Sequence, residues 1–115
     1  MIINLSPQRR EDTLTIFKVG DILTINGETF DLSPIQEGDT LPASAISSPW
    51  FLNKVERIGG ELELTLIFPN PQNFSPEQAF PVPLVGVPDG AVMLPKPLPE
   101  PTSLASGDEA GVSNQ

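Results

Sequence analysis

Three glutamates near a predicted hairpin turn are the side chains in this sequence whose spacing could support chemistry. Glu61 and Glu63 point to the same face of one predicted strand, and Glu56 is expected to lie opposite Glu63. Carboxylates held this close together can bind a divalent cation or act as an acid and a base. Lys54 lies among them, however, and the calcium-loop pattern Asp-x-Asp-x-Asp-Gly is missing from the sequence. We therefore interpret the group as a solvated strand face and predict no metal site and no cofactor.

The rest of the composition argues against catalysis. The chain of 115 residues contains no histidine, cysteine or tyrosine, so it has neither an imidazole base nor a thiolate nucleophile. Gly59 and Gly60 are the only adjacent glycines, and they join two predicted strands instead of a strand and a phosphate-binding helix. We predict that the protein is not an enzyme and has no catalytic residues.

The charge balance limits the class of partner. Six basic residues against fifteen acidic ones give a net charge of -9, which leaves no cluster of cations for the counterion release that drives nucleic-acid binding. An anionic membrane surface would repel the chain for the same reason. No apolar run approaches the roughly 20 residues of a membrane span, and the start lacks a signal-peptide pattern. We expect synthesis in a cytoplasm and protein partners, with no direct contact to nucleic acid or membrane.

The first third of the chain has the period-2 pattern of a three-stranded meander. Strands are expected at 14–19, 22–25 and 28–32, with Asn26-Gly27 as a type I′ turn between the second and the third. One face of this meander is then apolar and the other polar. Counting outward from the turns pairs Leu23 with Phe30 and Ile16 with Ile25. The predicted buried face comprises Leu14, Ile16, Leu23, Ile25, Phe30 and Leu32.

A second hairpin is predicted around Gly59-Gly60, with strands at 50–58 and 61–68. Its apolar face can pack against that of the meander. The expected fold class is therefore mainly β, a small antiparallel β-sandwich or barrel-like domain built of hairpins, with a Pro-rich extended C-terminal arm. A two-residue turn would set Val55 opposite Leu64 and Phe51 opposite Phe68. The predicted inner residues of this hairpin are Phe51, Val55, Leu62, Leu64, Leu66 and Phe68.

Proline interrupts the remaining segments. Residues 33–49 are expected to form a loop with at most a short helix. Residues 69–101 hold ten of the fourteen prolines and should form only edge strands or polyproline II, because proline cannot donate to a strand ladder. Apolar residues at 82–87 and 92–94 flank the turn Pro88-Asp89-Gly90 and could form a marginal edge hairpin.

Composition also sets the predicted domain boundary. Residues 1–94 should form one β-rich domain, of which 69–94 are the Pro-rich extended part. Residues 95–115 contain two leucines, one valine and no aromatic side chain, too little apolar surface to offset the entropy of ordering them. We predict a tail here that is extended or disordered and becomes ordered by partners.

The candidate binding residues are one tryptophan and several residues of the Pro-rich part. Trp50 either anchors a protein partner, as tryptophan often does at interfaces, or closes the core where the second hairpin begins. The prolines either stiffen loops or form an arm that lies along a neighbouring subunit. The predicted partner-binding residues are Trp50, Pro83, Pro95, Pro97, Leu98, Pro99 and Pro101.

Several different short motifs are distributed over most of the predicted domain. They are Ser6-Pro-Gln-Arg9, Leu23-Thr-Ile-Asn-Gly-Glu28 with Phe30-Asp31, Pro34-x-x-Glu37-Gly38, Leu41-Pro-Ala43, Trp50-Phe51, Val55-Glu-Arg-Ile-x-Gly60 and Leu62-x-Leu-Thr-Leu66. Over about residues 1–94 this combination resembles a family of small acidic proteins of tailed bacteriophages and prophages, encoded in the tail module near baseplate and tail-fibre components. The family brings no enzyme activity and no cofactor.

The resemblance implies a non-enzymatic structural or accessory component of the virion tail, at the baseplate, the tail tip or the fibre attachment. Its partners would be other tail, baseplate or fibre proteins, and it would occur in multiple copies in a symmetric assembly. Two alternatives remain open. The chain could be a tail or fibre assembly chaperone, or an acidic inhibitor of a host defence protein that mimics nucleic acid.

Overall fold

Two four-stranded sheets pack face to face in the computed structural model, which describes residues 1–99. The strands are β1 (Ile2–Arg9), β2 (Ile16–Val19), β3 (Ile22–Ile25), β4 (Glu28–Asp31), β5 (Thr40–Pro42), β6 (Phe51–Ile58), β7 (Glu61–Asn70) and β8 (Gly90–Ala91). The first sheet has the strand order β1-β7-β6-β5 and the second has the order β4-β3-β2-β8. The predicted mainly β sandwich is confirmed.

The predicted meander forms the second sheet with the expected register. Ile16 pairs with Ile25 in β2 and β3, and Leu23 pairs with Phe30 in β3 and β4. The turn between β3 and β4 has positive φ at both central residues, 49° at Asn26 and 86° at Gly27, as a type I′ turn requires. Asparagine and glycine tolerate this region better than other residues do, so the two-residue turn sets the register of both strands.

The second hairpin forms as predicted near its turn but not along its whole length. Glu56 lies opposite Glu63 as expected, whereas Phe51 pairs with Leu66 and not with Phe68. The predicted register of Phe51 is therefore wrong, because a β-bulge at Asn53 interrupts the ladder. Asn53 has φ of 61°, a left-handed conformation that asparagine tolerates and that suits a bulge.

The bulge leaves the inward and outward faces unchanged. Three residues of β6, 53–55, lie opposite the single β7 residue between Glu63 and Thr65. Two extra residues preserve the period of two, so Phe51 and Val55 both still face the core. The predicted pairing of Val55 with Leu64 is also wrong, because Val55 lies in the bulge, and on the other edge of β6 it pairs with Leu41 of β5.

The N-terminal strand β1 was not predicted. It lies parallel to β7 at the edge of the first sheet, with Ile3 beside Leu64 and Leu5 beside Leu66. Ile3 is 0% exposed, so this strand contributes one of the most completely buried side chains of the core. Because the pairing is parallel, no hairpin turn connects the two strands and no local turn signal marks them.

One hydrophobic core joins the two sheets. Phe30 of β4 and Phe51 of β6 meet edge to face across it, with ring centroids 5.2 Å apart. At its margin, the Arg57 guanidinium of β6 donates to Asp21 Oδ2 at 2.8 Å and so bridges to the β2–β3 turn of the other sheet. The predicted inner residues of both hairpins lie in or against this core, which contains Ile3, Leu5, Leu14, Ile16, Leu23, Ile25, Leu32, Ile35, Phe51, Val55, Leu62, Leu64, Leu66, Phe68 and Val87.

Two connections contain structure that the sequence analysis placed only in part. The 33–49 segment has the short helix expected there, a 3₁₀ turn at Ala43–Ala45, but also the unpredicted strand β5. In the Pro-rich part, the expectation of edge strands or polyproline II alone is wrong, because a helical turn α1 forms at Pro76–Ala79. Ser75 and Gln78 cap it reciprocally, and proline is favoured at a first helical position. No helix among residues 1–99 has the length and apolar character to cross a membrane.

Candidate protein-interaction surface

The segments before and after the turn Pro88-Asp89-Gly90 do not pair with each other, and each lies against a different sheet. Leu84 forms a two-way backbone pair with Ile3 of β1, with both N–O distances 2.9 Å. On the other side of the turn, β8 pairs with β2. The predicted edge hairpin between 82–87 and 92–94 is therefore wrong. Each segment forms backbone hydrogen bonds with an open sheet edge, whereas a hairpin between them would use one strand that Pro83 interrupts.

The separation leaves an apolar cleft of about 340 Å³ between the two segments. Residues 83–88 form one wall and residues 91–93 form the other, so we call it the 83–93 cleft. Apolar side chains stand exposed at its rim, with Val85 67% and Met93 74% exposed. Nearby in the sequence, Val82 and Phe80 are 75% and 83% exposed. This concentration of exposed apolar surface is typical of a site that another molecule covers.

The apolar surface continues from the cleft across the outer face of the second sheet. Ala91 lines the cleft and pairs with Phe17 of β2. Phe17 is 50% exposed, and Val19 on the same face is 53% exposed. Ile22 pairs with Val19 in β3 and is 38% exposed. The outer face that the meander was predicted to fill with polar residues is therefore apolar along β2 and at the start of β3.

One carboxylate holds the turn before β8 in place. Asp89 Oδ1 accepts from Lys18 Nζ at 2.8 Å and from the Gly20 amide at 3.0 Å. The hydrogen bond from Lys18 and then that from Gly20 lower the pKa of Asp89 below the ordinary value of an aspartate. The carboxylate is thus favoured in its charged form, and it ties the start of β8 to the β2–β3 hairpin.

This contact predicts a pH dependence at the base of the cleft. Because the folded-state pKa of Asp89 lies below the unfolded one, its contribution to stability is complete above about pH 4 and is lost as the pH falls through the folded value. We expect NMR titration to give Asp89 a pKa below that of an unfolded aspartate, with the Gly20 amide shifting at the same midpoint. Asp89→Asn should remove the Gly20 titration. The control is Asp31, whose pKa Ser33 lowers and which should titrate unchanged in the variant. A persisting Gly20 titration would contradict the assignment.

Trp50 is only partly exposed to solvent. It is half-buried against the core, and the Arg10 guanidinium carbon stands 5.1 Å from its ring centroid. This is the geometry of a cation–π contact, and Arg10 in turn pairs with Asp12. Of the two interpretations offered for Trp50, its packing against the core agrees with the one that places it at the start of the second hairpin. Its binding of a partner stays a prediction.

The candidate residues at the C-terminal end contact their own chain. Ser75 Oγ donates to the Lys96 carbonyl at 2.7 Å, and Asn73 and Leu98 exchange hydrogen bonds of 2.9 and 3.0 Å. Pro95 and Pro97 line a cleft of about 170 Å³ that is separate from the 83–93 cleft. The start of the predicted tail thus lies along the loop before α1, with Leu98 and Pro99 exposed.

The remaining candidates divide between the cleft and the undescribed end of the chain. Pro83 lines the 83–93 cleft. Pro101 lies outside the described residues, as does most of the predicted tail, so its ordering by partners stays a prediction. Sequence reasoning did not single out Val85, Met93 or Phe17. For Val85, the available signal was a run of apolar residues in a segment that Pro83 and Pro88 interrupt, so that it cannot be a core strand.

The three glutamates are each engaged by a different group. Glu63 accepts from Asn4 Nδ2 at 3.0 Å, and Glu61 lies 3.0 Å from the Met1 amino nitrogen. Glu56 lies 3.4 Å from Lys54 Nζ. Within residues 1–99, no group of three or more acidic side chains could hold a metal ion. The geometry is that of a charged strand face with neutralising neighbours.

Comparison with known proteins finds no matching family model, no matching curated protein and no matching solved structure. Function is therefore inferred from the exposed apolar surface, the charge of the chain and the motif resemblance. Of these three, the 83–93 cleft with its exposed rim is the feature that has defined geometry.

Proposed function

We propose that this chain is a non-enzymatic structural or accessory component of a bacteriophage tail that acts by binding other proteins. The observation that carries the proposal is the uncovered apolar surface around the 83–93 cleft. The resemblance of the sequence motifs to tail-module proteins supports the choice of particle. In this proposal the chain is synthesised in the host cytoplasm and is incorporated into the virion tail at the baseplate, the tip or the fibre attachment.

The energetics of the exposed surface favour a protein partner. Val85 and Met93 keep 67% and 74% of their surface in contact with water. Fully burying a side chain of this size stabilises a complex by about 1.5–3 kcal/mol before the costs of association. A cluster of such side chains beside a preformed cleft can act as the apolar centre of an interface.

The charges favour a basic partner surface. The chain carries a net charge of -9, and five of its basic side chains are already paired with its own carboxylates. The acidic surface would repel nucleic acid and anionic lipid but attract lysine- and arginine-rich protein surface. The paired residues are Arg9, Arg10, Lys18, Lys54 and Arg57.

Mass spectrometry of purified phage particles tests the proposal. We expect the chain in mature particles at a fixed ratio to the baseplate or tail-fibre proteins, in several copies per tail. Cross-linking of the same particles should join it to a tail, baseplate or fibre protein. A soluble host protein carried through the purification serves as the control for contamination.

Two outcomes would replace the proposed function with one of the alternatives. Presence in assembly intermediates of infected cells together with absence from mature particles would indicate an assembly chaperone. Absence from both, with copurification of a host nucleic-acid-binding protein, would indicate an inhibitor of host defence.

A further inference from the structure

We infer that the free edge of β8 is a strand-addition site, where an extended apolar segment of a partner protein, flanked by lysine or arginine, pairs with residues 91–93 and fills the 83–93 cleft. The inference rests on the proposed function, because it names how a partner binds and what chemistry that partner has. Three features of the described residues carry it: the backbone groups of the edge, the cleft beside them and the charge of the chain.

The backbone geometry shows which groups the edge offers. The Val92 amide donates to the Ile16 carbonyl at 2.9 Å, so the Val92 backbone is directed toward β2. In an extended strand the N–H and C=O groups of successive residues point to opposite edges. The backbone groups of Ala91 and Met93 are therefore directed away from β2, toward the open side. Within the described part of the chain, Met93 forms no backbone hydrogen bond.

Among the described residues, β8 is protected by its length of two residues but lacks the other devices that protect exposed strands. Natural proteins block free edges with proline, lysine, bulges or a covering segment. Between Pro88 and Pro95 the chain contains neither proline nor lysine, and β8 is the terminal strand of its sheet. The outward-directed backbone groups of Ala91 and Met93 are thus left able to pair with a further strand.

The cleft lies where the side chains of an added strand would go. Across from Ala91 and Met93, its other wall is formed by Val85, Val87 and neighbouring residues. Its volume of about 340 Å³ leaves room for apolar side chains of an added strand. In strand addition, backbone hydrogen bonds supply affinity and pockets for alternate side chains supply specificity. A helix could fill the cleft but could not pair with the edge, because its own backbone groups are already bonded.

Charge selects the sequence around the added strand. The one charged side chain in the segment 82–94, Asp89, is paired with Lys18, so the attraction comes from the net charge of -9 on the whole chain. Cationic residues flanking the added strand would therefore gain from long-range attraction. A second copy of this chain is disfavoured as the occupant, because two copies would bring like net charges together.

Peptide titration of the ¹⁵N-labelled full chain tests the inference directly. The probe is acetyl-Lys-Val-Thr-Val-Thr-Val-Lys-amide, and we expect its binding to shift the Ala91, Met93 and Val85 amides and to slow hydrogen exchange at Met93. Two matched peptides serve as controls. One has the central valine replaced by proline, which removes a ladder donor, and the other has both lysines replaced by glutamate. Both should bind at least about tenfold more weakly.

Met93→Pro tests whether binding depends on the backbone edge or only on the apolar side chains around it. Proline removes the Met93 amide that faces the open side and leaves the bond from Val92 to Ile16 in place. We expect an unchanged melting temperature with roughly tenfold weaker binding of the lysine-flanked peptide. Met93→Ala is the matched control, since it removes the side chain but keeps the amide, and it should weaken binding less than proline does.

Several results would overturn the inference. Equal binding of the proline-interrupted peptide, or equal binding by Met93→Pro and Met93→Ala, would show that the edge is not used. Equal binding of the glutamate-flanked peptide would remove the cationic partner. Dimers of the free chain that Met93→Pro dissociates would make a second copy the occupant.

Incorporation of the chain into phage particles, compared with peptide binding, distinguishes a failure of this inference from a failure of the proposed function. If the unaltered chain is absent from particles while the peptide binds as expected, only the proposed function fails. If Met93→Pro enters particles at the normal level and the peptide does not bind, only the strand-addition site fails.

Discussion

Replacing Phe51 with alanine is expected to lower the free energy of unfolding by about 3–5 kcal/mol, the usual cost of emptying an aromatic site in a core. Phe51 is 4% exposed and meets Phe30 of the opposite sheet edge to face. The substitution therefore removes both apolar burial and an aromatic contact between the two sheets. Chemical denaturation followed by tryptophan fluorescence measures the effect.

Phe80→Ala is the matched control for Phe51→Ala. The chemistry removed is the same, but Phe80 is 83% exposed, so its loss should change stability by less than about 0.5 kcal/mol. Phe30→Leu combined with Phe51→Ala should cost less than the sum of the two single changes, because the pair shares one contact. Equal effects of Phe51→Ala and Phe80→Ala would contradict the packing of the two sheets.

Ile3→Ala is expected to destabilise the protein by about 2–5 kcal/mol. Ile3 is 0% exposed, and its backbone pairs with Leu64 on one side and Leu84 on the other. The change therefore tests whether β1 belongs to the core. Hydrogen exchange at the Leu84 amide, which donates to the Ile3 carbonyl at 2.9 Å, should become faster in the same variant.

The control for Ile3→Ala is Ile58→Ala. Ile58 ends β6 at the hairpin turn and is 62% exposed, so truncating it should change stability by less than about 0.5 kcal/mol. A small loss at Ile3 would mean that β1 lies on the sheet without sealing the core. In that case the attachment of Leu84, and with it one wall of the 83–93 cleft, would be weaker than the geometry indicates.

The two core variants also bear on the binding surface. Val87 belongs to the same core as Ile3 and Phe51. The packing of the two sheets therefore holds the wall of the cleft that residues 83–88 form. The opposite wall is fixed by the pairing of β8 with β2 and by Asp89. A binding site held by both sheets gains affinity because less ordering is needed when a partner docks.

Local sequence patterns are sufficient to predict the parts of the fold that depend on near neighbours. The pairing of Ile16 with Ile25 and of Leu23 with Phe30 follows from a two-residue turn and a period of two, and both were predicted correctly. The inward faces of β6 and β7 were also predicted, because alternation of apolar and polar residues assigns each side chain to a face regardless of the partner strand.

Contacts between distant segments depend on the assembled fold and could not be predicted from the sequence. The bulge at Asn53 shifts the register of Phe51 by two residues, which the period of two cannot reveal because the faces are preserved. The parallel pairing of β1 with β7 leaves no turn signal in the sequence, because the two strands lie far apart in the chain. The separation of 82–87 from 92–94 depends on two open sheet edges that exist only once both sheets have formed. A local sequence pattern indicates which turns form and which face each side chain occupies. Whether 82–87 and 92–94 pair with each other or with distant strands depends on hydrogen bonds that only the assembled sheets can form.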